Sequence, residues 1–265
     1  MGSLLTKEIV LPSTPIPVEE PYELNIKEWN NQIEDICAEH GIEPKRVTIR
    51  EWDGETEDLL TDRQKMKSGE AINQALHDIV QDSDNFKFDK MLVGDRIFIM
   101  VQSKILSHGH DGHCEFDFKA QCKFCSETNS YTVNLEELEV AHLTEDSKEF
   151  TTELPRDGSK VTFKLLTGKD EKRLKKIRKN NSGSMMTSYL LLRTVNIEDT
   201  GEGKKPMRGF LKGLSSYDRT HLRQKMDEND CGVDTTIEVV CPDCLAQFET
   251  DLPMDENFYL PSRVK

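Results

Sequence analysis

No stretch of this sequence approaches the run of about 18 apolar residues that a membrane-crossing helix needs. The opening "MGSLLTKEIVLPSTP" also lacks the apolar centre of an export signal. Its Met-Gly-Ser start leaves a myristoylation signal or a tag remnant open. Basic excess is missing as well: 35 Lys and Arg stand against 49 Asp and Glu, a net charge of −14. A chain so acidic makes duplex DNA or an anionic membrane a poor default partner, because phosphate binding needs a net basic face. Aromatics are scarce at 7%, and hydrophobic residues reach only 35% against 32% charged. That composition suits a soluble globular chain, whose 265 residues could build one large core or two modest ones.

Enzyme signatures are absent too. There is no Walker loop, no G-x-G-x-x-G, no G-x-S-x-G elbow and no H-E-x-x-H. Carboxylates are plentiful, but nothing pairs two of them in an identifiable pocket. The expectation is a non-enzymatic chain with no small-molecule substrate, no membrane association and no nucleic-acid ligand, acting through other proteins. Seven cysteines are too few and too unevenly spaced for a disulfide scaffold. In the reducing compartment expected here, paired cysteines are better read as metal ligands.

Hydrophobic periodicity then organises the chain as α+β. Residues 1–22 carry four prolines and read as an extended arm lying on a neighbour, or as a disordered tail. Residues 23–110 read as mainly helical. Ile26, Trp29, Ile33 and Ile36 share a helix face ended by Gly41, "RVTIREW" alternates as a strand, two helical stretches divide near Ser68-Gly69, and a core helix fits Val93 to Leu106. Residues 111–265 change texture. Strands are expected at 148–155 and 158–167, and helices at 168–179, 184–196 and 215–228. A strand–CxxC–strand pattern occurs at 114–140 and again at 234–252, two knuckles flanking an α/β insertion.

The knuckles carry the clearest chemistry. Cys122 and Cys125 ("CKFC") and Cys241 and Cys244 ("CPDC") supply four thiolates, the set a tetrahedral structural zinc requires. Four thiolates leave no open coordination position, so such a site does not activate water. The separation of the pairs leaves two alternatives open: knuckles that have lost their metal, and a redox dithiol, although neither CxxC opens a helix. Ser126 and Leu245 stand where a glycine would ease each turn. A second candidate is "SHGHDGHC", with His108, His110, Asp111, His113 and Cys114. Gly109 and Gly112 mark it as a polar turn, while a metal site, or an enzyme built on it, is the sharper reading. Cys37 and Cys231 are isolated. The run 169–179, "KDEKRLKKIRK", reads as an amphipathic helix with a solvated basic face. A contact with an acidic protein, or a zinc-ribbon nucleic-acid-binding or transcription factor using that face, is its functional alternative.

Several stretches taken in order are similar to the baseplate hub and tail-assembly proteins of T-even-type contractile-tailed phages. They are "TIREWDGETEDLLTDR", "MLVGDRIFIMVQSKILSHG", the first CxxC with "YTVNLEELEV", "FKLLTGKDEKRL", and CPDC running into "ENFYLP", over roughly residues 45–260. The resemblance implies a non-enzymatic structural component or assembly factor, found in the virion baseplate or tail or in the host cytoplasm during assembly. Its implied partners are other hub or tail proteins. On residues it implies only Cys122, Cys125, Cys241 and Cys244 as zinc ligands.

Overall fold

The computed structural model describes residues 4–110, 113–179, 185–198, 207–255 and 257–259. Among them helices and several small sheets alternate, the α+β class expected from the sequence.

The chain opens with β1 (Thr6–Val10), a short β2 (Leu24–Asn25), helix α1 (Ile26–Glu39) and β3 (Arg46–Arg50). Asn25 caps α1 through a reciprocal capping box: its side chain accepts from Glu28 N–H and the Glu28 carboxylate accepts from Asn25 N–H. The amphipathic face expected for α1 is buried, and Trp29 at its centre donates Nε1–H to the Val10 carbonyl at 2.9 Å. Here one expectation is corrected. The proline-rich start is extended, but it lies on its own chain. β1 pairs antiparallel with β3, Ile16 N–H bonds to Leu143 O, and Ile9, Val10, Leu11 and Ile16 belong to the main core. Apolar side chains spaced between the prolines are what bury it.

Next come α2 (Gly54–Thr61), α3 (Arg63–Ser68) and α4 (Glu70–Ile79). The expected break at Gly69 is present, with φ 77°; a second one falls at Asp62, whose carboxylate caps α3. Helix α5 (Val93–His108) runs through the core with ten buried positions, polar ones included. Each of those polar side chains makes a hydrogen bond, as burial demands, although the Arg96 Nε has no partner among the described residues. Gln102 exchanges a hydrogen bond with Asn30, Ser103 accepts from Trp52 Nε1–H, and Lys104 donates to the Phe258 carbonyl at 2.5 Å. The rings of Trp52, Phe116 and Phe258 surround the Lys104 ammonium at 5.1–5.8 Å. Burial pushes that ammonium down to about 8.

Beyond α5 the chain forms a hairpin of β4 (Glu115–Gln121) and β5 (Thr128–Asn134), then β6 (Glu139–Ala141), which pairs with β2. A second, smaller core follows. The chain runs through β7 (Glu149–Glu153), β8 (Lys160–Lys164), α6 (Gly168–Lys179), α7 (Met185–Arg193), β9 (Thr194–Glu198), α8 (Met207–Gly213) and α9 (Ser216–Glu228), and elements other than α6 pack around Val161, Phe163, Leu190, Leu211 and Leu222. The helix expected over 184–196 stops at Arg193. The stretch rich in β-branched Thr194, Val195 and Ile197 forms a strand on β8 instead, with Val195 skipped at a register shift, and the fully buried Arg193 guanidinium is clamped by Asp230 at 2.7 and 2.8 Å. The chain then returns through β10 (Gly232–Val233), beside β6, into a last hairpin of β11 (Thr236–Val240) and β12 (Gln247–Asp251). Phe116, Phe118, Leu252, Phe258 and Tyr259 join the α1–α5 core, so one core carries residues from both sides of position 110.

Candidate metal centre

Both CxxC pairs sit at hairpin turns, Cys122-Lys123-Phe124-Cys125 between β4 and β5, and Cys241-Pro242-Asp243-Cys244 between β11 and β12. The two turns repeat one hydrogen-bond pattern. Cys122 N–H donates to Glu127 O and Ser126 N–H to Cys122 O; Cys241 N–H donates to Ala246 O and Leu245 N–H to Cys241 O. The residue after each second cysteine is left-handed, Ser126 at φ 67° and Leu245 at φ 60°. The missing glycines therefore do not open the turns; they leave two side chains in a conformation that L-residues adopt at a cost.

The structure brings the four predicted cysteines together across a separation of 119 residues between the pairs. Their Sγ atoms all lie within 4.8 Å of one another, with Cys122 to Cys244 at 3.7 Å and Cys125 to Cys241 at 3.6 Å. A tetrahedron with metal–sulfur bonds of about 2.3 Å has edges of about 3.8 Å, whereas a disulfide would need sulfurs about 2.05 Å apart. The spacing fits four ligands around one ion, and the residues present fit a zinc. Cys122 and Cys241 are buried beside Phe248, Cys125 is half-buried and Cys244 exposed.

The electrostatics point the same way. N–H groups of Cys125 and Phe124 aimed at Cys122 Sγ hold that thiol down at about 7. At Cys125 the Glu127 N–H favours the thiolate, yet desolvation and the neighbouring sulfurs outweigh it and push the thiol up to about 12. Four thiols this close cannot all ionise near neutrality without a cation among them.

Spacing gave no sign of the groups around the sulfurs. Asn129 on β5 reaches across to the other hairpin, its Nδ2 3.7 Å from Cys241 Sγ and 2.8 Å from the Asp243 carboxylate. Tyr131 and Phe248 meet edge to face at 6.3 Å, and Tyr131 continues to Phe118, which ties the paired hairpins to the main core. Nothing in a single sequence distinguishes this asparagine or these rings from other strand residues.

The histidine run does not converge. His108 packs edge-on to Trp52 at 5.1 Å with Nε2 3.5 Å from Glu57. His110 and His113 exchange backbone hydrogen bonds as a turn, and Asp111 lies outside the described residues. The Cys114 thiol is buried, which raises it to about 11. Cys37 is buried and Cys231 half-buried. On α6, Lys172 is held by Asp89 at 2.8 Å and Lys175 by Glu171 at 2.8 Å, while Lys169, Arg173 and Lys176 are exposed. Two of the basic side chains that would have faced a nucleic acid are thus engaged within the chain.

A family model described as T4 bacteriophage base plate protein matches residues 39–258. The chain belongs to that family. The matched stretch contains both CxxC turns, all of α2–α9 and the double hairpin, and nearly coincides with the span over which the sequence resembles phage baseplate proteins. No curated protein and no solved structure matches the chain. In this baseplate protein no helix among the described residues is long and apolar enough to cross a membrane.

Proposed function

We propose that this chain is a non-enzymatic component or assembly factor of the phage baseplate hub or tail, stapled by one zinc on Cys122, Cys125, Cys241 and Cys244. In this reading it works by contacts with other baseplate proteins, in the virion or in the host cytoplasm before assembly is complete. The observation that carries it is the closed set of four sulfurs, on two hairpins 119 residues apart, in a chain of the baseplate family. Four thiolates around one zinc leave no position for water or substrate, so the ion holds the hairpins together and does not catalyse. Zinc bound there would supply folding free energy by joining the strands that flank the whole α/β insertion.

Mass spectrometry of purified particles and of isolated assembly intermediates tests the role. A fixed copy number in particles identifies a permanent part, and presence in intermediates alone identifies an assembly factor. Absence from both removes the proposal.

A further inference from the structure

The end of the double hairpin that carries the sulfurs is apolar and bare. Phe124 is 69% exposed, Val240 54% and Leu245 77%, among the most exposed large hydrophobic side chains described. Each adjoins a ligand cysteine in sequence, and the 3.6 and 3.7 Å sulfur contacts bring the two turns side by side. Folding explains none of these exposures. Leu245 is the sharper case: at φ 60° glycine would fit without strain, yet the position holds a leucine whose side chain packs on nothing that folding requires. The main chain that carries Phe124 is fixed in the turn, because the Phe124 N–H donates to Cys122 Sγ at 3.4 Å. A backbone already ordered around the anchors lowers the conformational cost of binding, and large apolar side chains that enter a pocket dominate protein interfaces.

Charge specifies what they fit. Glu127 and Asp243 stand exposed in the turns, and Glu238, Glu249 and Asp251 stand exposed along the second hairpin, set against Lys119 and Lys123. Four thiolates around a dication would add further negative charge. That rim repels anionic lipid and nucleic acid and attracts cationic side chains. We propose that the knuckle tip is a docking plug, with Phe124 and Leu245 entering an apolar socket framed by Lys and Arg on another baseplate protein. The proposal rests on the assembly reading above and names the surface that reading leaves open.

The test uses the full-length chain, titrated onto baseplate assembly intermediates isolated from an infection that lacks this protein. Wild type, Phe124→Ser and Leu245→Gly are compared, with zinc content and thermal stability measured on each. Leu245→Gly relieves the backbone while removing the anchor, so it should be at least as stable as wild type yet bind about tenfold more weakly or worse. Phe124→Ser should lose as much, and wild-type binding should weaken as salt rises. A photo-crosslinker at position 124 should map to an apolar site bordered by Lys or Arg on another phage protein. Equal binding by all three chains overturns the plug and leaves the assembly reading standing. No binding by wild type overturns both. Self-association of the chain that disappears in the variants assigns the tip to a second copy and overturns the proposal as stated.

Discussion

Gly94 in the first turn of α5 and Gly232 in β10 meet backbone to backbone. A Cβ on Gly94 would fall 1.7 Å from the Cys231 carbonyl oxygen, and one on Gly232, whose φ is 126°, would fall 2.6 Å from Gly94 Cα. The obstructing atoms are main chain, so no side-chain rotation relieves either clash. This contact seats β10 on the central helix, and the chain continues from there through β11 into Cys241, so it helps to place one half of the sulfur cluster. Gly94→Ala should therefore cost about 3 kcal/mol or more and lower zinc affinity although it touches no ligand. Chemical denaturation and zinc titration of the variant check both outcomes.

Elemental analysis of the purified chain should find one zinc per molecule. Strong chelators should lower its melting temperature, and re-addition of zinc should restore it. Serine at any one of Cys122, Cys125, Cys241 or Cys244 should abolish stoichiometric binding, whereas Cys37→Ser and Cys231→Ser should leave the zinc content unchanged. A metal-free chain that melts at the same temperature as the loaded one would remove the staple.

Ser126 and Leu245 occupy left-handed backbone at φ 67° and 60°. A left-handed L-residue costs roughly 1–2 kcal/mol, partly offset by the greater flexibility that glycine brings to the unfolded chain. Ser126→Gly should raise stability by about 0.5–1 kcal/mol, read as a shift in denaturation midpoint at constant slope. A loss would show that the serine side chain contributes more to the turn than its backbone strain removes.

Asp95 at the start of α5 is buried, and desolvation raises its carboxyl to about 6, with Ser13 hydrogen bonds and the charge of Lys45 opposing. A folded-state value above the unfolded 3.8 means that the native chain binds the extra proton between those limits. Asp95's contribution to stability is therefore largest below pH 4 and falls as pH rises to about 6, by on the order of 2–3 kcal/mol. Asp95→Asn keeps an acceptor for Ser13 N–H and removes the titration. The difference in unfolding free energy between wild type and variant should shift in the variant's favour across pH 4 to 6 and be level above pH 7.

Local chemistry made much of this molecule legible. The face of Ile26, Trp29, Ile33 and Ile36 gives α1, the apolar spacing of residues 93–106 gives α5, and the alternation of Phe116, Phe118 and Ala120 gives β4, because periodicity is read from neighbours. Arg193 and Thr194 show where that reading stops. The 184–196 stretch has helical periodicity, but β8 offers an open edge and Asp230 a partner for the buried Arg193, and both lie far away in sequence.

The cysteines divide the same way. Their types and spacing by themselves named Cys122, Cys125, Cys241 and Cys244 as the candidate ligands and the chemistry such a set can support, since residue type is a local property. Only the tertiary structure decided that the sulfurs meet at 3.6–3.7 Å, because that depends on two distant hairpins seated by contacts such as Gly94 on Gly232. It also decided that the proline-rich start is core, because burial of Ile9, Val10 and Ile16 depends on β3 and α1 being there to cover them. The exposure of Phe124 and Leu245 was likewise a tertiary outcome: a side chain is left in water only when the rest of the fold packs elsewhere.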